Sequence, residues 1–263
     1  MNYFIVTIMP ELVAGGLHHG LIGQAFMKGL CNYQTINPRQ FVGGVHQAID
    51  DRPFGGGDGM VMMADPMQQA LDSLGNLENS EVIYLSPQGE PFTDTMASEF
   101  SHKKNLVLFC GRYAGMDQRF LSKNKVREIS IGDYVVSGGE VPALVMIDAI
   151  TRKIPGVLGH EDSANKDSFA LDGLLEAPAF TRPREWGGMA VPEVLLSGNH
   201  EKIIEFQRNI SLLITLQKRP DLLKDKKLDK SQLKSFLSDL SDSDQKSCGI
   251  DSSLILKNLE TLP

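Results

Sequence analysis

Glycines placed where chain segments end are the residues of this sequence best suited to hold a ligand. The stretch Ser130 to Asp148, SIGDYVVSGGEVPALVMID, reads as a strand end, a turn at Gly138 and Gly139, and an apolar helix with Pro142 in its first turn, where proline fits best. Gly132, Gly138 and Gly139 lack a Cβ, so a ligand could approach the main chain and be read by its N–H and C=O groups. A tight strand-to-helix connection with no ligand accounts for the same glycines. The helix that follows, Ala143 to Ile147, has no polar face apart from Asp148 and must be covered on most sides. Ser86-Pro87-Gln88-Gly89 and Gly111-Arg112-Tyr113 carry similar turn chemistry.

Other chemistries are poorly supported. Neither GxGxxG nor GxxxxGK[ST] occurs, and Gly55-Gly56-Gly57-Asp58-Gly59 precedes a Met-rich segment instead of opening a helix behind a strand, so no standard dinucleotide site or P-loop is expected. Cys31, Cys110 and Cys248 form no CxxC pair and read as packing residues. An HExxH zinc motif would need a second histidine after His160 or His200, but Ala164 and Ile204 stand there.

The elements that must position these turns alternate. Strands are predicted over Tyr3 to Ile8, Cys31 to Ile36, Glu81 to Leu85, Leu106 to Cys110 and Val126 to Ile131. Helices are predicted over Leu21 to Leu30, from an Asp65 N-cap to Leu74, over Asp94 to His102 and over Asp117 to Ser122. This βαβ rhythm implies an α/β fold with a parallel sheet, whose ligands bind beyond the carboxyl ends of strands. The three glycine turns follow three such ends and could form one cleft. Ile154 to Asp172 has no clear period and reads as a linker or lid. A helical half follows, with Asn199 capping a run to Lys218 and shorter helices near Leu222 and from Ser231 to Leu240; beyond Asp239 a frayed polar tail is expected.

The chain of 263 residues, 41% hydrophobic and 22% charged, can bury a substantial core. No apolar run approaches the ~20 residues of a membrane helix. The first apolar segment lacks a basic n-region and meets Pro10 and Glu11 at once, so it reads as a strand rather than a signal peptide, and the cytoplasm is the expected location. A net charge of −7 argues against broad non-specific nucleic-acid binding. A local excess remains, with eight Lys or Arg against five Asp or Glu between Glu201 and Lys230.

Seven segments in order, DDRPFGGGDGMVM from Asp50, YLSPQGEPF from Tyr84, LFCGRYAGMDQR from Leu108, SIGDYVVSGGEVPA from Ser130, IPGVLGHEDSANKDSF from Ile154, TRP from Thr181 and VPEVLLSGNH from Val191, closely resemble the TrmD family of bacterial tRNA (guanine-37-N1)-methyltransferases, in the SPOUT superfamily. The likeness runs from Met1 to about Pro220. It implies a deep trefoil knot in the α/β sheet, rare under the usual connection rules, and a small helical C-terminal domain. The implied boundaries are 1–158 for the knotted S-adenosylmethionine-binding domain, 159–172 for a linker or lid and 173–263 for a helical tRNA-binding domain. A homodimer with active sites at the subunit interface is also implied, with no membrane, and Mg²⁺ is a candidate participant.

The resemblance assigns cofactor binding to Leu85, Ser86, Pro87, Gly89, Gly111, Arg112, Tyr113, Ile131, Gly132, Asp133, Tyr134, Val135, Val136, Gly138 and Gly139. These fall on the same three strand ends. Asp167 matches the family's general base, which removes the N1 proton of guanine, and Arg152 matches the arginine that stabilises charge on O6. Asp50, Asp51, Arg52 and Asp117 become candidate substrate contacts on a tRNA that presents guanine 3′ of the anticodon. A loop or N-cap role for Asp167 and a helix-end role for Arg152 explain the same residues structurally. The chain departs from the family at Ala114, where glutamate is usual, and at Gln24, where arginine is usual. Alternatives are a SPOUT enzyme acting on another nucleoside, against which the C-terminal blocks weigh, and a non-catalytic RNA-binding relative, against which the Asp167 and Arg152 pair weighs.

Overall fold

The first half of the chain folds around seven strands among the described residues: β1 (Asn2–Val6), β2 (Asn32–Ile36), β3 (Asp50–Asp51), β4 (Val61–Met62), β5 (Ser80–Pro91), β6 (Asn105–Phe109) and β7 (Arg127–Ser130). In this computed structural model, β3 and β4 form an antiparallel pair, while the other five make one sheet in the order β2-β1-β6-β5-β7 with every pairing parallel. The structure describes residues 1–45, 47–159, 167–170 and 172–262. Residues 160–166 and 171 of the expected linker, His160 and Ala164 among them, lie outside these.

The centre of the sheet is apolar because it is covered on both faces. All five residues of β6 are buried, and they alternate between two cores. Leu106 and Leu108 join Tyr3, Ile5 and Ile83 under α1 (Pro10–Leu17), α2 (Gly20–Met27), α4 (Asp94–Ser101) and α6 (Glu140–Thr151). Val107 and Phe109 face the other way, onto Met67 of α3 (Ala64–Asp72) and onto Phe120 and Leu121 of α5 (Gln118–Lys123). Burying side chains of this size contributes roughly 1.5–3 kcal/mol each.

Several local expectations are corrected. The helix α1 was not anticipated, because its two glycines lower helix propensity. Pro10 starts it, and Gly16 lets it close on α6, where a Cβ would come 2.5 Å from Leu144 Cδ1. The third helix begins at Ala64, with Met63 rather than Asp65 in the cap position. The strand β5 runs far past Leu85, to Pro91. The helix α6 is covered on most sides, as expected, and leaves one exposed stripe at Val141 and Val145, four residues apart, which are 53% and 46% exposed.

Contacts divide the chain into two compact units, Met1–Glu161 and Asp162–Pro263. The second contains a small hairpin, β8 (Glu185–Trp186) with β9 (Met189–Ala190), and helices α7 (Glu193–Leu196), α8 (His200–Lys218), α9 (Lys230–Asp239), α10 (Asp242–Cys248) and α11 (Ser252–Thr261). Asn199 caps α8 as expected, its side chain accepting from Lys202 N at 3.2 Å. The polar tail is a correction, for it is folded. Ser241 and Asp251 cap α10 and α11, Gly249 turns left-handed between them, and Cys248, Ile255 and Leu259 are buried against Leu213 and Leu216 of α8. Among the described residues no helix is long and apolar enough to cross a membrane.

Because the tail closes this core, Ile255→Ala is expected to lower the stability of the second unit by about 2–5 kcal/mol. Amide hydrogen exchange over residues 252–261 checks this. Protection there should be strong in the parent chain and largely lost in the variant.

Candidate functional site

Parallel pairing puts the carboxyl ends of β6, β5 and β7 side by side along one edge. The segments 110–116 and 131–139, which leave β6 and β7, therefore converge with residues 86–89 of β5, and together they enclose a cavity of about 430 Å³. Its lining includes Leu85, Ser86 and Pro87, then Gly111, Arg112 and Tyr113, then Ile131, Gly132, Tyr134, Val135, Val136, Gly138 and Gly139. Thirteen of the fifteen residues expected at a cofactor site are thus brought together; Gly89 and Asp133 are not among the lining.

The first loop is extruded from the middle of a strand. Ile129 of β7 pairs with both Leu85 and Glu90 of β5, so Ser86–Gly89 bulges out while the ladder closes on either side of it. Gly89 is what permits closure, because a Cβ there would lie 2.3 Å from Ile129 N. The glycines in the other loops likewise make room for the protein itself. A Cβ on Gly111 would meet the Tyr84 ring at 2.4 Å, and one on Gly139 would meet Cys110 Cα at 2.6 Å. Gly139 N donates to Gly111 O at 2.8 Å, fastening the second and third loops together. Gly132, with φ of 149°, adopts a backbone that side chains rarely tolerate.

Two residues that the sequence did not single out hold this arrangement from below. Glu140, the first residue of α6, is 1% exposed. Its Oε1 accepts from the Thr7 hydroxyl at 2.8 Å, and its Oε2 accepts from Arg112 Nε at 3.0 Å, with Arg112 Nη2 at 2.9 Å. Arg112 therefore lines the cavity with a guanidinium already committed to a carboxylate. The signal was available in the run Gly138-Gly139-Glu140, an acidic residue opening an otherwise apolar helix. Burial pushes the Cys110 thiol well above its ordinary pKa, with Glu140 adding to the rise and Arg112 opposing it. Burial also raises the Tyr84 phenol, and its cross-strand neighbour Glu128 raises it further.

The glycine-rich segment after Asp50 is tied to the same edge. Ala114 N donates to Met60 O at 2.8 Å, Met62 N to Gly115 O at 2.9 Å and Asp117 N to Met62 O at 3.0 Å. Ala114 thus stands between the cavity and the β3–β4 hairpin, with 3.4 Å between its Cβ and the position of a Cβ on Gly59. Asp51, Arg52 and Asp117 line a second, wider groove of about 1210 Å³, whose lining does not include Asp50. Asp117 is held by Arg119, whose Nε and Nη2 reach its two oxygens at 3.0 and 2.6 Å. That hydrogen-bonded guanidinium keeps the carboxyl below its ordinary pKa.

The two residues expected at the reaction centre lie in different units. Arg152 is the exposed C-cap of α6 in the first. Asp167 belongs to the second, where its carbonyl accepts from Ala170 N at 3.1 Å in a turn anchored by Glu176 N on Ser168 Oγ at 3.0 Å. Among the described residues no group of three or more His, Cys, Asp or Glu could hold a metal ion.

The arrangement suits a group of nucleoside size. Apolar Leu85, Pro87, Ile131, Val136 and Pro142 and the rings of Tyr84, Tyr113 and Tyr134 offer flat contact, while the loop backbones offer donors and acceptors. Residues 1–225 match the family described as tRNA (Guanine-1)-methyltransferase TrmD. A Staphylococcus epidermidis protein named tRNA (guanine-N(1)-)-methyltransferase is 48% identical over 223 residues, covering 85% of this chain and 91% of its own length. A protein of that name from Neisseria meningitidis serogroup C is 49% identical over 220 residues, 83% and 88% of the two chains. Another, from Desulforamulus reducens, is 47% identical over 241 residues, 90% and 94%.

The packing at Gly139 predicts that Gly139→Ala forces the second and third loops apart, at a stability cost of about 1–3 kcal/mol. Thermal denaturation should show the loss, whereas Gly29→Ala, with nothing within 4 Å of its Cβ, should lack any such clash and show only the cost of its own backbone.

Proposed function

Because the chain belongs to the tRNA (guanine-1)-methyltransferase family, we propose that it transfers a methyl group from S-adenosyl-L-methionine to N1 of guanine at position 37, next to the anticodon. The observation that carries the cofactor assignment is the convergence of three strand-end loops on one cavity of about 430 Å³ lined by glycine backbone and tyrosine rings. In this reading Ile131 to Val136 and Gly111 hold the adenosyl group through main-chain atoms. The donor supplies an already activated methyl on its sulfonium. The protein is left with two tasks, aligning the guanine and removing its N1 proton.

Asp167 takes the N1 proton and Arg152 faces O6, where negative charge develops as the proton leaves. The target base leaves its stack to be reached. Asp50, Asp51, Arg52 and Asp117 then contact the nucleotides around the target. The region 173–263 grips the anticodon stem through phosphate contacts, which gives Lys218, Lys224, Lys226, Lys227 and Lys230 a use in an acidic chain. The homodimer of this reading, with active sites at the subunit interface, is supported by the exposed valines on α6, which a partner would cover. The trefoil knot is supported by the family and by the parallel sheet, whose second and third loops are joined by the Gly139–Gly111 hydrogen bond. Mg²⁺ enters this reading as a participant of undefined ligands, and the cytoplasm as the compartment where tRNA is modified.

The test is transfer of labelled methyl from S-adenosylmethionine to unmodified tRNA transcripts with guanine 3′ of the anticodon, beside a guanine-to-adenine transcript. Transfer to the first alone is expected; transfer to both or to neither overturns the assignment. Asp167→Ala should lower turnover by about 10²–10⁴-fold while cofactor affinity, read by calorimetry, stays close to the parent value. Substantial residual turnover would remove Asp167 from the role of base.

A further inference from the structure

A carboxylate is seldom buried unless it is hydrogen-bonded and its charge is matched. Glu140 meets that condition through two segments distant in sequence. Thr7, just beyond β1, donates to one oxygen, and Arg112, beyond β6, binds the other through Nε. The Thr7 hydroxyl also accepts from Met9 N at 2.9 Å, so the first contact is fixed by the chain entering α1. From its pairing with Glu140 the Arg112 fork reaches onward, with Nη1 3.4 Å from Ser137 O and Nη2 2.8 Å from Met9 Sδ. The packing leaves no slack, since a Cβ on Gly138 would lie 2.4 Å from Arg112 Nε and 2.6 Å from Glu140 Oε2.

Arg112, Ser137, Gly138 and Gly139 line the cavity, whereas Thr7 and Glu140 do not. We propose that Glu140 is a positioning residue for the methyl donor. Its carboxylate, anchored by Thr7, holds the Arg112 guanidinium against Ser137 and so sets the distance between the loops 110–113 and 137–139, which form one wall of the cavity. The proposal rests on the reading of that cavity as the S-adenosylmethionine site. It makes a distinction that a direct contact would not. Glu140 acts through backbone placement, so its loss must weaken the sulfonium donor and its product S-adenosylhomocysteine, whose thioether carries no charge, by the same factor. A carboxylate touching the sulfonium would instead favour the cation.

Calorimetric titrations of both ligands, without tRNA, separate the cases. Glu140→Gln keeps the shape and loses the charge, and is expected to weaken both ligands by about 10–100-fold with the number of sites unchanged, the scale of losing a charge-assisted hydrogen bond. Thr7→Val, which removes only the anchoring hydroxyl, should weaken both by about 3–10-fold, and Thr7→Ser should restore parent affinity. These two variants carry the test if Glu140→Gln does not fold. Unchanged dissociation constants with fewer sites would mean a purely structural residue and overturn the proposal, as would weakening of the donor alone. A parent chain that binds neither ligand overturns the methyltransferase reading and the positioning role together, whereas a parent chain that binds both with variants that match it overturns only the latter.

Discussion

The site depends on a single strand position. Ile129 stands in register on both sides of an extruded loop, opposite Leu85 before it and Glu90 after it. The ladder therefore resumes after Ser86–Gly89, and the loop stands out from a sheet that is continuous beneath it. Had the strand simply ended at Leu85, that loop would have been free to move with α4. The clamp instead gives the cavity one wall as stiff as the sheet. The wall made by the other two loops is held differently, by the Gly139–Gly111 backbone hydrogen bond and by a buried ion pair.

How far the sequence anticipated this differs by element. The parallel sheet and its three converging ends followed from strand-helix alternation, since a buried strand such as Asn105–Phe109 has no choice of face. The extruded loop was not legible, because Pro87 and Gly89 look like the end of a strand and the partner that closes the ladder lies about forty residues later. The folded tail was missed for a related reason. Its apolar positions, Leu240, Cys248, Ile255 and Leu259, are spread over short helices broken at Gly249, and the one helically spaced set, Ile255, Leu259 and Leu262, is short and follows a polar run from Ser241 to Ser247. Burial there is decided by α8, and propensity gives way to tertiary contact.

The glycines show a subtler gap. Their positions fall on the loops around the cavity, but the reason differs from the one spacing suggested. At Gly89, Gly111, Gly138 and Gly139 the absent Cβ admits the protein's own backbone, ring or guanidinium. Thr7 and Glu140 were invisible for the converse reason: a threonine at a strand end and a glutamate in a first helical turn each have an ordinary local role. Only the fold reveals that they share one buried hydrogen bond. Resemblance to a family supplied what spacing could not, namely candidate roles for Asp167 and Arg152.

The aromatic residues are divided between the two units in a way that suits optical work. The one tryptophan, Trp186, sits on the exposed β8–β9 hairpin of the second unit, 73% accessible, whereas Tyr3, Tyr33, Tyr84, Tyr113 and Tyr134 all belong to the first. Fluorescence excited selectively through the indole thus reports on the C-terminal unit alone. Tyrosine absorbance reports on the sheet and its loops. With no added label, the two halves of the chain can be followed in separate spectral channels of one sample.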